Sequence, residues 1–212
     1  MKKYTSINDI DHMLSWIEEA KEIKASPLKH NNLGKHKTLG LLFFNASLRT
    51  RLSTQKAALN LGMDPIVMNV SGDAWGIEFE DGTIMNGDTA EHIKEAAAVI
   101  SQYCDIIAVR AFPSLKDKEQ DEAEQVLQSF IQFASVPVIS MESATEHPLQ
   151  GFTDAITISE NSTKKRPKVV LSWAPHIKAL PHAVANSFVQ AMHKMDVEFI
   201  ITNPEGYNLN TE

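Results

Sequence analysis

The chain of 212 residues contains one cysteine, Cys104. It can close no internal disulfide, and a reducing compartment is the simplest reading. Cys104 stands just before Asp105-Ile106-Ile107-Ala108-Val109, a buried-strand pattern, so a packed thiol is expected rather than a reactive one. No apolar run approaches the roughly 20 residues of a membrane span. The opening MKKYTSINDIDHML follows its lysines with polar residues. Neither a signal peptide nor a membrane segment is expected, and a cytoplasmic location is. Positive charge is also in deficit: 20 Lys and Arg against 27 Asp and Glu leave a net charge of -7. Such a chain lacks the broad positive field that non-specific nucleic-acid binding needs. Any anion must instead be met by a local cluster of cations.

Several chemical signatures are missing too. There is no Gly-rich loop of the Walker type and no GxGxxG after a strand. The eight histidines show no metal-ligand spacing, and a proline separates His176 from His182. Ser47 and Ser53 have no base and acid nearby in sequence, which gives a serine hydrolase little support. Neither metal nor cofactor is expected.

What is present is alternation. Hydrophobic residues make up 43% and charged residues 22%, ordinary for a globular chain with a core. Strands are expected at 38–44, 65–70, 105–109, 136–140, 168–173 and 198–202. Helices are expected at 50–61, 88–103, 120–134, 150–158 and 181–195. Asp88 with Glu91 three residues on suggests a capping box for the second helix, and Pro181 suits the first turn of the last. Apolar strands alternating with helices predict an α/β fold, a parallel sheet flanked by helices. The polar break at 160–167 suggests a boundary. Beyond it lie only two strands and one helix, too little to bury a core alone. We therefore expect the beginning of a second α/β domain, incomplete within these residues.

In open parallel sheets, ligands sit beyond the carboxyl ends of the strands. After the first strand, Ser47-Leu48-Arg49-Thr50-Arg51 runs straight into a helix. A helix N-terminus offers free N–H groups and a partial positive charge. Two hydroxyls and a guanidinium fork added there make an anion site. The alternative is that Ser47 only caps the helix and the arginines are solvated. Arg110 follows the third strand; its alternative is an ion pair with a loop carboxylate. Glu142, Thr145, His147 and Gln150 follow the fourth. Pro148 biases His147 to an extended backbone. Beside two arginines, His147 reads better as a hydrogen-bond donor to a ligand than as a structural histidine.

These residues carry a family resemblance over the whole chain. Ser47-Leu48-Arg49-Thr50-Arg51 resembles the Ser-x-Arg-Thr-Arg motif of aspartate and ornithine carbamoyltransferases, and His147-Pro148-Leu149-Gln150 resembles their His-Pro-x-Gln motif. Arg110 stands where that family has an arginine after the third strand. FFNASLRTRLSTQKAALNLGM, the segment around Trp75, MNGDTAEHIKEA, VRAF and Ser172-Trp173-Ala174-Pro175-His176 look like the branch acting on acylated ornithine. Trp-Ala-Pro-His and Asn203-Pro204-Glu205-Gly206-Tyr207 look more like the succinyl than the acetyl type. Ala90 is neither the glutamate of the acetyl type nor the proline of the succinyl type.

The resemblance implies an enzyme of arginine biosynthesis. It would transfer the carbamoyl group of carbamoyl phosphate to the δ-amino group of an N-acylornithine, succinyl favoured over acetyl. Ser47, Leu48, Arg49, Thr50, Trp75, Arg110, His147 and Gln150 would bind carbamoyl phosphate, with Trp75 reaching in from a neighbour in a homotrimer. Arg49, Thr50, Arg110, His147 and Gln150 would act on the carbamoyl group. Glu142, His176 and Ala90 would lie near the acylornithine. Residues 1–149 would form the carbamoyl-phosphate domain, and 150–212 a linker helix and an incomplete acylornithine domain. The family's His-Cys-Leu-Pro motif is not in these residues. The alternatives are an ornithine carbamoyltransferase, or a non-catalytic anion-binding and assembly module.

Overall fold

A computed structural model describes residues 2–70, 75–173, 182–206 and 208–209. Five parallel strands form the main sheet: β1 (Lys3–Tyr4), β2 (Thr38–Phe43), β3 (Asp64–Asn69), β6 (Ile106–Arg110) and β7 (Val138–Glu142), in the order β1-β7-β6-β2-β3. Two short pairs lie apart from it, β4 (Ile77–Glu78) with β5 (Glu91–His92), and β8 (Lys168–Ser172) with β9 (Glu198–Thr202), both parallel. The helices are α1 (Met13–Ala25), α2 (Arg49–Leu61), α3 (Ile93–Tyr103), α4 (Lys118–Ala123), α5 (Gln125–Phe133), α6 (Pro148–Asn161) and α7 (Ala183–His193). No helix among the described residues is long and apolar enough to cross a membrane.

The strands of the sheet centre are buried on both faces, as βαβ crossovers require. Leu41, Phe43 and Ala108 point to the side where Ala58 of α2 packs. Leu42, Ile107 and Val109 point to the other side, against Ala96, Ala97 and Ile100 of α3 and Leu127 and Phe130 of α5. The buried thiol of Cys104 joins that second cluster, and burial pushes it up from its ordinary pKa. A third cluster ties Ile7, Ile10, Met13 and Ile17 near the N-terminus to Ala155 of α6 and to Ala191 and Met192 of α7.

The expected elements are present, with four corrections. The capping box at Asp88 does not form: α3 begins at Ile93, capped by the His92 ring, which accepts from the Lys94 N–H at 3.3 Å. Glu91 is instead in a strand, paired with Ile77, so its backbone cannot enter the helix. The helix expected at 120–134 is two helices. Glu124 between them takes a left-handed backbone (φ 49°), and its carboxylate accepts from the Thr145 N–H and hydroxyl at 2.9 and 2.8 Å. The fourth strand runs to Glu142, two residues further than its apolar run suggested. Finally, β1 and α1 were not anticipated. Pro181 lies outside the described residues.

Candidate active site at the sheet edge

The strand order reverses between β2 and β6. From β2 the chain crosses by α2 to β3 on one side; from β6 it crosses by α4 and α5 to β7 on the other. Loops leaving the carboxyl ends of two such strands diverge and open a crevice, the usual ligand site of this architecture. Phe43 and Arg110 are register partners at that point, and Arg110 pairs in turn with Glu142 at the end of β7. The fold thus brings residues 44–50, Arg110 and 142–150 to one edge.

Arg110 is buried, with 6% of its surface exposed. One guanidinium nitrogen donates to the Ala46 carbonyl at 3.1 Å and another to Glu142 Oε2 at 3.0 Å. The guanidinium carbon lies 4.0 Å from the Phe112 ring centroid. The ion pair weighed against a ligand role is therefore present, although its carboxylate belongs to a strand end. It does not use Arg110 fully: Nε is buried and has no hydrogen-bond partner among the described residues. Burial raises the pKa of Glu142, while Arg110 pulls in the opposite direction.

His147 stands beside this pair, its Nε2 3.6 Å from Glu142 Oε2. Burial, followed by the charge of Arg110, lowers its pKa from 6.5 to about 4. The ring is neutral near pH 7, so the Glu142 contact is no ion pair. Its Nδ1 is buried and has no hydrogen-bond partner among the described residues. A neutral imidazole and an arginine Nε, both buried and both short of a partner, favour a polar ligand at this edge. Gln150, in the first turn of α6, donates to Asp154 at 2.8 Å.

The start of α2 is different. Leu48 is the N-cap, and no side chain caps the helix. Ser47 therefore does not act as the cap, and its hydroxyl remains available with that of Thr50. Arg49 is exposed and has no hydrogen bond or ion pair to a described residue. Arg51 turns away, donating to Asn69 Oδ1 and lying 4.1 Å from the Phe43 ring centroid. Trp75 is partly buried against the cluster around Ile77 and Val109. Ala90 is exposed and lines an open cavity of about 450 Å³ with Asp81, Met85, His92 and Lys94. His176 lies outside the described residues. No metal-binding group of His, Cys, Asp or Glu occurs among the described residues.

Three residues around His147 escaped sequence reasoning. Its N–H donates to the Ser187 hydroxyl at 2.9 Å, which in turn donates to Glu146 at 2.8 Å. Asn186 donates to the Thr145 carbonyl at 3.0 Å. A lone serine or asparagine on an amphipathic helix carries no signal of such a role.

The parallel α/β domain places two arginines, Arg49 and Arg110, at the edge where its strand order reverses. Its sequence matches the aspartate/ornithine carbamoyltransferase carbamoyl-P binding domain over residues 2–160, and the chain belongs to that family. It is 53% identical over 209 residues to an N-succinylornithine carbamoyltransferase of Bacteroides thetaiotaomicron, covering 99% of this chain and 66% of that one. It is 42% identical over 187 residues to an N-acetylornithine carbamoyltransferase of Xanthomonas axonopodis pv. citri, covering 85% and 54%. Among solved structures, a mutant N-acetyl-L-ornithine transcarbamylase complexed with PALAO superposes with a TM-score of 0.91 at 37% identity, over 100% of this chain and 64% of the other. Another mutant, complexed with carbamyl phosphate and N-succinyl-L-norvaline, gives 0.89 at 37%, over 99% and 64%. The chain thus spans between 54% and 66% of the length of these relatives.

Proposed function

We propose that this chain carries the carbamoyl-phosphate site of an N-acylornithine carbamoyltransferase, with succinylornithine favoured over acetylornithine as acceptor. The placement of Arg110 supports this most: it is buried at the switch point, short of one partner, and next to a neutral histidine equally short. The acylated acceptor is favoured by the 53% and 42% identical relatives, and the succinyl group by the first of these.

In this proposal the Leu48 N–H, the Ser47 and Thr50 hydroxyls and Arg49 hold the phosphate. Arg110, His147 and Gln150 face the carbamoyl group, and Glu142, Ala90 and His176 lie on the acceptor side. The δ-amino group attacks the carbamoyl carbon, the C–O bond to phosphate breaks, and phosphate leaves with the electron pair. The departing phosphate takes up the amine proton as the new C–N bond forms. Donors fixed beforehand around the carbonyl oxygen stabilise the charge that develops there; loss of one typically costs about a hundredfold in rate. Residues 1–149 act as the carbamoyl-phosphate domain and 150–212 contribute to the acceptor side.

A cytoplasmic homotrimer is part of the proposal. Leu48, Leu52 and Leu59 are 72%, 62% and 56% exposed. Four and seven residues apart, they form one apolar stripe along α2, a face suited to a neighbouring subunit that brings Trp75 to the phosphate.

Calorimetric titration of the chain with carbamoyl phosphate, with Arg49→Ala as control, tests the site. Saturable binding that the control loses is expected. A folded sample that binds nothing would leave a non-catalytic assembly module as the better account. Assays with free, N-acetyl- and N-succinylornithine test the acceptor; product from free ornithine alone would overturn the choice of acyl type.

A further inference from the structure

We infer that helix α7 positions the carbamoyl end of the site through Ser187, which holds the backbone of His147 in place. The inference deepens the function proposed above and rests on it. Ser187 is fully buried (0% exposed). Its hydroxyl is the acceptor for the His147 N–H and at the same time the donor to Glu146. Gln190, one turn further along α7, donates to the other oxygen of the same carboxylate, and accepts from Ser6 at 3.1 Å. Asn186 holds the Thr145 carbonyl. Three polar side chains on one side of α7 therefore grip residues 145–147.

The remaining bonds of this segment leave it little freedom. Ser143 and Glu146 exchange backbone and hydroxyl hydrogen bonds across a tight turn. The His147 carbonyl accepts from the N–H groups of Gln150 and Gly151. Gly151 sits so close to α7 that a Cβ there would meet the Ser187 carbonyl at 2.7 Å. The His147 backbone is thus held from α6 through its C=O and from α7 through its N–H. The buried Nδ1 of the ring it carries makes no hydrogen bond to a described residue. The ring's placement therefore depends on the backbone that carries it, and Ser187 holds the N–H side of that backbone. Ser187 is a positioning residue: its hydroxyl bonds His147 and Glu146 and would act on a ligand through them.

The test compares wild type, Ser187→Ala and Gln190→Met on two readouts. The first, free of ligand, is amide hydrogen exchange. In Ser187→Ala the His147 amide should exchange at least about tenfold faster relative to Gly151, because its acceptor is gone. The second is binding of carbamoyl phosphate against inorganic phosphate. Ser187→Ala should weaken carbamoyl phosphate on the order of tenfold and leave phosphate unchanged, since in the proposal phosphate meets residues 47–50 and a neighbour's Trp75, none of which α7 holds. Gln190→Met should move both readouts the same way by a smaller factor, and it decides the matter if Ser187→Ala does not fold. Unchanged exchange, or an equal loss of both ligands, would overturn the inference. A wild type that binds no carbamoyl phosphate would sink the functional proposal instead, while exchange still reports whether α7 fixes His147.

Discussion

Around Arg110 most polar groups are already engaged before a ligand arrives, whereas at residues 47–50, on the same sheet edge, hardly any are. Arg110 is buried against Glu142, Ala46 and Phe112, and His147 is fixed by α6 and α7. Arg49 is exposed and unpaired among the described residues. The difference reflects the ligand group each end would bind. A small uncharged carbamoyl group offers few handles, so its donors have to be in place beforehand. A phosphate dianion draws an exposed arginine to itself by charge, and the side chain can order on binding. The buried end therefore doubles as structure, and the exposed end does not.

That contrast is open to test by stability. Arg110→Ala leaves Glu142 buried without its partner and should cost about 3–5 kcal/mol; urea denaturation measures it. Loss of under about 1 kcal/mol would mean that Glu142 simply takes up a proton. Acidification should have the next largest effect. His147 has a pKa of about 4 in the folded chain against 6.5 ordinarily. Between those values the unfolded chain binds the proton and the folded chain does not. Stability is lost as pH falls from 6.5 to 4, by about 3 kcal/mol in total. Glu142, Glu146 and Asp154, whose pKa values burial raises, work in the opposite sense. The measure is therefore the difference between wild type and His147→Asn across that range. Parallel curves would mean that the histidine is not buried neutral.

Smaller effects sharpen the picture. Gly151→Ala should cost about 1–3 kcal/mol by forcing α6 away from α7. The loss should be accompanied by faster exchange at the His147 amide. Arg49→Ala should change the melting free energy by less than about 0.5 kcal/mol. The same substitution should weaken carbamoyl phosphate by about ten- to a hundredfold, the range of a charge-assisted hydrogen bond. A destabilised Arg49→Ala would erase the distinction between the two ends.

The centre of the sheet was legible because TLGLLFF and DIIAV are short runs buried on both faces, and such runs occur only with covered sheets. Its carboxyl edge was legible for the same reason: once the strands are known, so are the residues at their carboxyl ends. The short β1 escaped notice because two residues form no periodic pattern. The break at Glu124 escaped because a glutamate in a left-handed turn has no sequence signature; its carboxylate is held by Thr145, distant in sequence. The grip of α7 on His147 is likewise tertiary. It depends on Gly151 admitting Ser187, a pairing visible only when the two helices lie together.

The strand order also dictates when the sheet can be finished. Lys3 and Tyr4 pair with Val138 and Ile139, and the Tyr4 hydroxyl donates to the Pro148 carbonyl at 3.3 Å. Strands β2, β3 and β6 can form a smaller sheet as soon as they have been made. β1 has to wait until the chain has been synthesised past residue 139. The segment around Ile7 and Ile10 waits longer still, because its core includes Ala155, Ala191 and Met192, and its docking closes a very long loop, a slow step in folding.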